Sequence, residues 1–136
     1  MFETMVPIVG RVISELTSRT MPNGDKMISF RMVARERRYN RENQEWVDGD
    51  KLFIGVKCWR KLAENVQASL FKGDDIVVYG RMYLNEYEAN GETRSAVELE
   101  ARAIGPDLSR WPAMVQRPLR ADTPSELAMT PSAVAA

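Results

Sequence analysis

Cationic and aromatic side chains are concentrated in one stretch, RMVARERRYNRENQEW, which runs from residue 31 to residue 46. Five of its sixteen residues are arginine, although 19 Lys and Arg balance 19 Asp and Glu over the whole chain. Guanidinium groups bind phosphates and stack on rings, and aromatic rings stack on unpaired bases. Taken alone, the stretch is equally compatible with the charged tip of a β-hairpin, so its neighbours must decide between the two interpretations.

The segment KLFIGVKCW, residues 51–59, alternates like a β-strand. Its even positions are all apolar and are predicted to face the core: Leu52, Ile54, Val56 and Cys58. The outward face of such a strand normally carries polar residues. Here the odd positions instead interleave two large aromatic rings with lysines: Lys51, Phe53, Gly55, Lys57 and Trp59.

The segment 27–36 alternates in the same way and is the expected hairpin partner of 51–59. Its predicted core face carries Ile28, Phe30, Met32 and Ala34, and its outward face carries Ser29, Arg31, Val33 and Arg35. The two outward faces then form one surface with Arg31, Arg35, Phe53, Lys57 and Trp59, extended by a loop with Arg37, Arg38, Tyr39, Arg41 and Trp46. Because a duplex hides its base faces, this combination of rings and cations predicts binding of single-stranded nucleic acid.

The remaining segments complete a small barrel. We predict a first strand over 6–16 bent at Gly10, a helix over 60–72 capped by Gly73, and strands over 75–88 and 94–103. Turns are expected at 21–25 and at Asn90-Gly91. About five strands with one helix between the third and fourth indicate an all-β OB-fold, a five-stranded Greek-key barrel over residues 1–108. From residue 109 the Pro, Ala, Ser, Thr and Met content predicts a disordered tail.

Composition limits the chemistry that is open to the chain. There is no histidine and only one cysteine, Cys58, so His-based nucleophile pairs, a thiolate zinc site and an internal disulfide are excluded. We interpret the neighbouring carboxylates, Asp74 with Asp75 and Glu98 with Glu100, as solvated surface residues. The sequence therefore predicts a non-enzymatic, cytoplasmic protein without a metal or cofactor, and a small metal-dependent nuclease stays open as an alternative.

Three stretches also resemble one known family. The stretches MPNGDKMISFRMVARE, FIGVKCWRKLAENVQASLFKGDDIVVYGRM and YEANGETRSAVELEARAIGP are similar to the bacterial single-stranded DNA-binding proteins, and the resemblance covers about residues 5–108. It implies a homotetramer of OB-folds that binds single-stranded DNA in replication, repair or recombination with little sequence preference. It also implies base stacking on Phe53, Trp59 and Tyr87, with Tyr39 near the place of a further aromatic. Arg81 and Tyr83 share the parity of Tyr87 and complete the predicted site.

The end of the chain departs from the family's usual pattern. The family ends in a long tail with an acidic tip that recruits other proteins, whereas this sequence ends TPSELAMTPSAVAA. We therefore expect a short-tailed paralogue or phage-type variant, nucleoid-associated, for which tip-dependent partners bind weakly or not at all. The stretch IGPDLSRWPAMVQR resembles the actinobacterial branch, which implies an extra strand that clasps a neighbouring subunit, interrupted here by Pro112.

Two other functions remain compatible with the residues. An OB-fold of this kind could prefer RNA or act as a replication-restart accessory, and its aromatic face could meet a protein instead of a nucleic acid. Neither composition nor spacing separates these alternatives from DNA binding.

Overall fold

The described part of the chain consists of six β-strands and one helix. The computed structural model describes residues 3–118, with the backbone alone at 36–38 and 48. The elements are β1 (Met5–Val12), β2 (Thr17–Thr20), β3 (Lys26–Asn40), β4 (Glu45–Trp59), α1 (Arg60–Ser69), β5 (Asp75–Ala89) and β6 (Glu92–Pro106). No helix in residues 3–118 is long and apolar enough to cross a membrane.

Five of the strands close into a barrel. The sheet order is β1-β5-β6-β4-β3-β2. Strand β1 pairs a second time with β3, which closes the first five strands of this order into a ring and leaves β2 outside it. The helix lies between the third and fourth barrel strands, β4 and β5, so the predicted OB-fold is confirmed. The predicted first strand was too long, since β1 ends at Val12. A separate short strand, β2, covers the outer edge of β3 with four exposed residues.

The predicted core faces are largely confirmed. Ile28, Phe30 and Met32 of β3 pack with Ile54, Val56 and Cys58 of β4, and α1 adds Ala63 and Val66. Two positions were predicted wrongly. Leu52 is 40% exposed, because β4 at that point is entering the hairpin that extends beyond the barrel. Val33 is only 3% exposed on the outward face, because β1 crosses beside it and pairs Arg11 with it.

The β3–β4 and β5–β6 hairpins are both longer than predicted. Strands β3 and β4 remain paired as far as Asn40 and Glu45, so Arg37, Arg38, Tyr39 and Trp46 belong to strands and not to a loop. Only residues 41–44, including Arg41, form the turn. The second hairpin joins β5 to β6 through Asn90 and Gly91, whose φ angles of 53° and 81° match the predicted two-residue turn.

Helix α1 begins without a connecting loop. Arg60, its first residue, has a φ of 59°, which turns the chain from strand to helix within one residue. The Arg60 guanidinium lies 3.1 Å from the Asp25 carboxylate in the turn before β3. The helix ends at Ser69 with Leu70 as its C-cap, so Gly73 is not the cap that was predicted. Gly73 has a φ of 100° in the following turn, where its N–H donates to the Val12 carbonyl.

The barrel closes where β1 passes from β5 to β3 at Gly10. Residue 10 pairs with Ile76 of β5, and the next two residues of β1 pair with β3 as well. A Cβ at this position would overlap the Val33 carbonyl oxygen and lie 2.7 Å from the end of the Met32 side chain. The absence of a side chain therefore allows the two backbones to approach closely.

We expect Gly10→Ala to destabilise the fold by about 1–3 kcal/mol, because the added methyl group has no space between β1 and β3. Gly105→Ala is the matched control: its φ is not positive and a Cβ there meets nothing within 4 Å. That control should be neutral or stabilising by up to about 1 kcal/mol. Urea unfolding measures both variants, and equal stabilities would show that the closure does not depend on residue 10.

Candidate nucleic-acid interface

The outward side chains of β3, β4, β6 and β5 lie in two rows that cross these four strands. Arg31 of β3 lies opposite Gly55 of β4, and the row continues through Glu98 of β6 to Tyr83 of β5. The adjacent row runs from Ser29 through Lys57 and Glu100 to Arg81. We call these eight positions, together with Phe53 and Trp59, the outer sheet face.

Two of the predicted stacking rings are on this face. Phe53 is 51% exposed, and Trp59 is half-buried at the end of β4. Met27 lies directly opposite Trp59 on β3 and is buried, and Arg60, the residue after Trp59, forms an ion pair with Asp25. Trp59 is thus held between two fixed elements and keeps part of its ring accessible, which suits a stacking platform.

A β-bulge places a further aromatic pair on the β3–β4 hairpin. Between Arg35 and Arg37 of β3 the partner strand advances three residues, from Lys51 to Asp48, so the side-chain parity of β4 changes. Trp46, an even-numbered residue, thereby comes to lie opposite Tyr39. The two ring centroids are 5.4 Å apart with an interplanar angle of 56°. Both rings are about half exposed or more, so the hairpin offers an aromatic surface beyond the barrel.

The β5–β6 hairpin carries the remaining predicted residues. Tyr87 is 45% exposed opposite Arg94 near the tip. The Arg81 guanidinium carbon lies 4.5 Å from the centroid of the Tyr83 ring, and an Arg81 nitrogen donates to Glu100 Oε2 at 3.1 Å. Arg81 is therefore already paired with a carboxylate, so less of its charge is available to an anion than the sequence indicated.

The side chains of three other predicted cations are accessible to solvent. Arg31 and Arg35 are exposed and Lys57 is half-buried, and none of the three forms an ion pair with a carboxylate whose side chain is described. The side chains of Arg37 and Arg38 lie outside the described residues, although their backbone belongs to β3. The available positive charge thus follows β3 and the adjacent edge of β4.

One of the four carboxylates interpreted as solvated surface residues was interpreted wrongly. Asp75 is buried and bound to Arg11, so it is not a solvated surface residue. Glu98 and Glu100 lie in the middle of the outer sheet face, and the Glu98 carboxylate occupies the space above Gly55 that a side chain there would fill. Strand β6 pairs in parallel with β4, which is distant in sequence, and no local signal could have revealed this placement.

Nucleophilic and metal chemistry find no support in the described residues. Burial raises the pKa of the Cys58 thiol to about 11, against the lowering effect of its hydrogen bond to the Ile28 carbonyl, so the thiolate needed for attack is scarce at neutral pH. Among the side chains that the structure describes, no group of three or more Cys, Asp or Glu could hold a metal ion. What the outer sheet face offers is accessible rings beside cations.

Comparison with known proteins identifies the family. The profile of the Single-strand binding protein family matches residues 4–107. The chain belongs to this family. The match spans the whole barrel, and the sequence resemblance is thereby confirmed.

Relatives and solved structures of the family agree with this assignment. A single-stranded DNA-binding protein of Corynebacterium glutamicum is 40% identical over 116 residues, which are 85% of this chain and 52% of that protein. One from Paenarthrobacter aurescens is 38% identical over 119 residues, which are 87% of this chain and 70% of that protein. The chain thus spans about half the length of the Corynebacterium relative.

Two solved structures share both the fold and the sequence similarity. The small single-stranded DNA-binding protein from Streptomyces coelicolor has a TM-score of 0.75 and 36% identity, covering 81% of this chain and 99% of that one. The second single-stranded DNA-binding protein from Mycobacterium smegmatis has a TM-score of 0.68 and 38% identity, covering 85% and 100%. These relatives are actinobacterial, as the stretch after the barrel predicted.

Proposed function

We propose that this protein binds and protects single-stranded DNA without marked sequence preference, in replication, repair or recombination. Bases stack on Phe53, Trp59 and the Tyr39–Trp46 pair, and phosphates follow the cations of β3. The protein acts in the cytoplasm on the DNA there and supplies no catalysis. Family membership supports the proposal, because the relatives are named for this activity.

One observation carries the proposal beyond family membership. The outward face of β4 exposes the Phe53 ring one strand away from Arg31 and Arg35 of β3. Both arginines are diagonal to Phe53 in the pairing register, and neither forms an ion pair with a carboxylate whose side chain is described. Neighbouring strands lie about 4.8 Å apart, so ring and guanidinium are within reach of one nucleotide's base and phosphate. Each stacked base contributes about 1–3 kcal/mol, whereas a duplex offers no exposed base face to such a ring.

Trp59→Ala should weaken binding to oligo(dT) by about 1–3 kcal/mol, because one stacking ring is lost. It should also remove much of the tryptophan fluorescence quenching that DNA produces. Phe71→Ala is a suitable control, since Phe71 is 71% exposed in the turn after α1 and lies off the outer sheet face. Fluorescence titration of the folded variants measures both effects.

Three outcomes are informative. Loss of affinity in Trp59→Ala and not in Phe71→Ala supports stacking on the outer sheet face. Equal affinity in all three proteins assigns Trp59 a structural role. If the unmodified protein prefers oligo(U) or fails to bind oligo(dT), the proposed DNA-binding function is wrong.

Glu98→Gln should raise the affinity for oligo(dT) at low salt, because it removes a negative charge from the middle of the surface that the phosphates approach. An exposed charge interaction contributes up to about 1 kcal/mol, so the gain should be at most about fivefold and should shrink as salt rises. Glu64→Gln, at an exposed position of α1, removes the same charge from an element outside the outer sheet face. Weaker binding by Glu98→Gln would mean that its carboxylate accepts a hydrogen bond from a base.

We further propose that the protein is a homotetramer. The edge of β1 that faces away from β5 pairs with β3 only at Arg11 and Val12, which leaves the rest of that edge available to a second copy. The outward side of β1 and β5 adds apolar surface, with Val9 56% and Tyr79 45% exposed. The sequence also predicted an interrupted clasp at 108–115. Residues 111–118 form no strand within the described chain, so pairing of this segment with a second copy is part of the same proposal.

Val9→Asp should lower the molar mass in light scattering, because a charge on this apolar surface opposes contact between copies. Phe71→Asp, at an exposed position in the turn after α1 and away from β1 and the clasp, should leave the mass unchanged. A monomeric unmodified protein, or a Val9→Asp variant of unchanged mass, would refute this assignment of the interface.

A further inference from the structure

The outer sheet face has one central position without a side chain, Gly55 of β4. A Cβ at this position would overlap Glu98 Oε2, and its next two neighbours, Cδ at 3.0 Å and Oε1 at 3.3 Å, belong to the same carboxyl group. The Glu98 carboxylate therefore lies over the backbone of β4, in the place that a side chain of residue 55 would take.

Glu98 and Glu100 lie on the same face of β6, and only Glu100 is neutralised. Its carboxylate lies 3.1 Å from Arg81 and 3.9 Å from Arg102. The half-buried Glu98 side chain forms no ion pair or hydrogen bond with any residue that the structure describes. Glu98 is thus an acceptor without a donor, on the surface where we propose that bases bind.

An arginine lies on the other side of Gly55. Arg31 of β3 pairs with Gly55, which pairs in turn with Glu98, so the three positions form one row. Two strand spacings, or about 10 Å, separate β3 from β6 along this row. The backbone of Arg31 is fixed, because its N–H donates to Ser14 Oγ at 2.8 Å and its carbonyl accepts from the Ile13 N–H at 2.9 Å. A donor and an acceptor therefore flank a position that has no side chain of its own.

The ring of Phe53 lies next to this row. Phe53 precedes Gly55 by two residues on the same face of β4, which is about 7 Å along the strand. The ring is 51% exposed, and no side chain of residue 55 separates it from the Glu98 carboxylate. A base that stacks on Phe53 can therefore extend its edge over Gly55 towards Glu98.

The groups in this row suit guanine better than the other bases. An ionised carboxylate only accepts hydrogen bonds, and it can accept two at once. Guanine offers two adjacent donors on its Watson–Crick edge, N1–H and the N2 amino group. Adenine and cytosine have an acceptor beside their amino group, and thymine has a single N–H between two carbonyls. The O6 and N7 acceptors of guanine are the atoms that arginine most often contacts.

We propose that Arg31, Gly55 and Glu98 form a guanine-preferring subsite of the DNA-binding surface. The Glu98 carboxylate accepts from N1–H and the N2 amino group, Arg31 donates to O6 or N7, and the base stacks on Phe53. The subsite rests on the proposed function and deepens it. Since the other rings accept any base, a long strand is still bound with little sequence preference. The repulsion between Glu98 and phosphates is offset only where a guanine is bound.

The test compares DNA of alternating guanine and thymine with the same DNA carrying inosine in place of guanine. Inosine keeps O6, N7 and N1–H and lacks only the N2 amino group, so one of the two hydrogen bonds to Glu98 is lost. The unmodified protein should bind the guanine DNA about three- to tenfold more tightly. Fluorescence titration at low salt measures this ratio.

Two variants should bring the ratio close to one by different routes. The amide of Glu98→Gln accepts only through its oxygen and presents N–H groups of its own to the second donor of guanine. Gly55→Ala keeps the charge, but its methyl group displaces the Glu98 carboxylate; the φ of residue 55 is not positive, and the displaced group is the flexible end of a side chain. Glu64→Gln, on α1, is the control and should keep the ratio of the unmodified protein.

The comparison separates failure of the subsite from failure of the proposed function. A guanine preference that Glu98→Gln and Gly55→Ala remove and Glu64→Gln keeps supports the subsite. Equal affinity of the unmodified protein for the two DNAs overturns it, while binding of oligo(dT) leaves the proposed function intact. A preference that persists in Glu98→Gln also overturns it, because the preference then comes from stacking alone. Failure to bind any of these DNAs would overturn both proposals.

Discussion

The close approach of β1 to β3 at Gly10 is the constraint on which the rest of the structure depends. Without it, the strands from β1 to β2 would form an open, twisted sheet with two unsatisfied edges. Closure buries Ile8, Val12 and Met32 in one core with the residues of β4, β5 and β6. It also fixes which strands are neighbours, and hence which outward side chains share a surface.

Closure of the barrel gives the inward and outward faces of each strand different roles. Inward positions are filled by aliphatic residues that only need to pack, while the opposite positions are free to carry rings and charges. The rings are supported where they would otherwise be mobile. Trp59 stands between buried Met27 and the Arg60–Asp25 ion pair, and Tyr39 and Trp46 contact each other on a hairpin that extends from the barrel.

The distribution of charge explains how a chain of zero formal charge can present a surface suited to a polyanion. Acidic groups are bound to arginines at particular places: Asp75 to Arg11, Glu100 to Arg81 and Asp25 to Arg60. Arg31 and Arg35 of β3 and Arg110 after β6 form no ion pair with a described carboxylate. Local pairing, and not the total charge, therefore determines where phosphates would be attracted. Glu98 opposes that attraction in the middle of the sheet.

The sequence by itself determined most of the strand faces, the presence of the helix, the turns and the order that defines the OB-fold, because alternation and turn residues act over a few neighbouring positions. It also predicted the outward position of Phe53 and Trp59, which lie on a strand with regular parity. The length of the hairpins was missed, since the polar residues of 37–46 resemble a loop until they are paired.

Only the tertiary structure decided the contacts between segments that are far apart in sequence. The bulge that turns Trp46 towards Tyr39, the parallel pairing that sets Glu98 over Gly55, and the burial of Val33 all depend on register or on barrel closure. The row of Arg31, Gly55 and Glu98 depends on two such pairings at once. Local propensity acts within a strand, whereas register and closure are set by the packing of the whole core, and that is why these features have no signature in any single stretch of the chain.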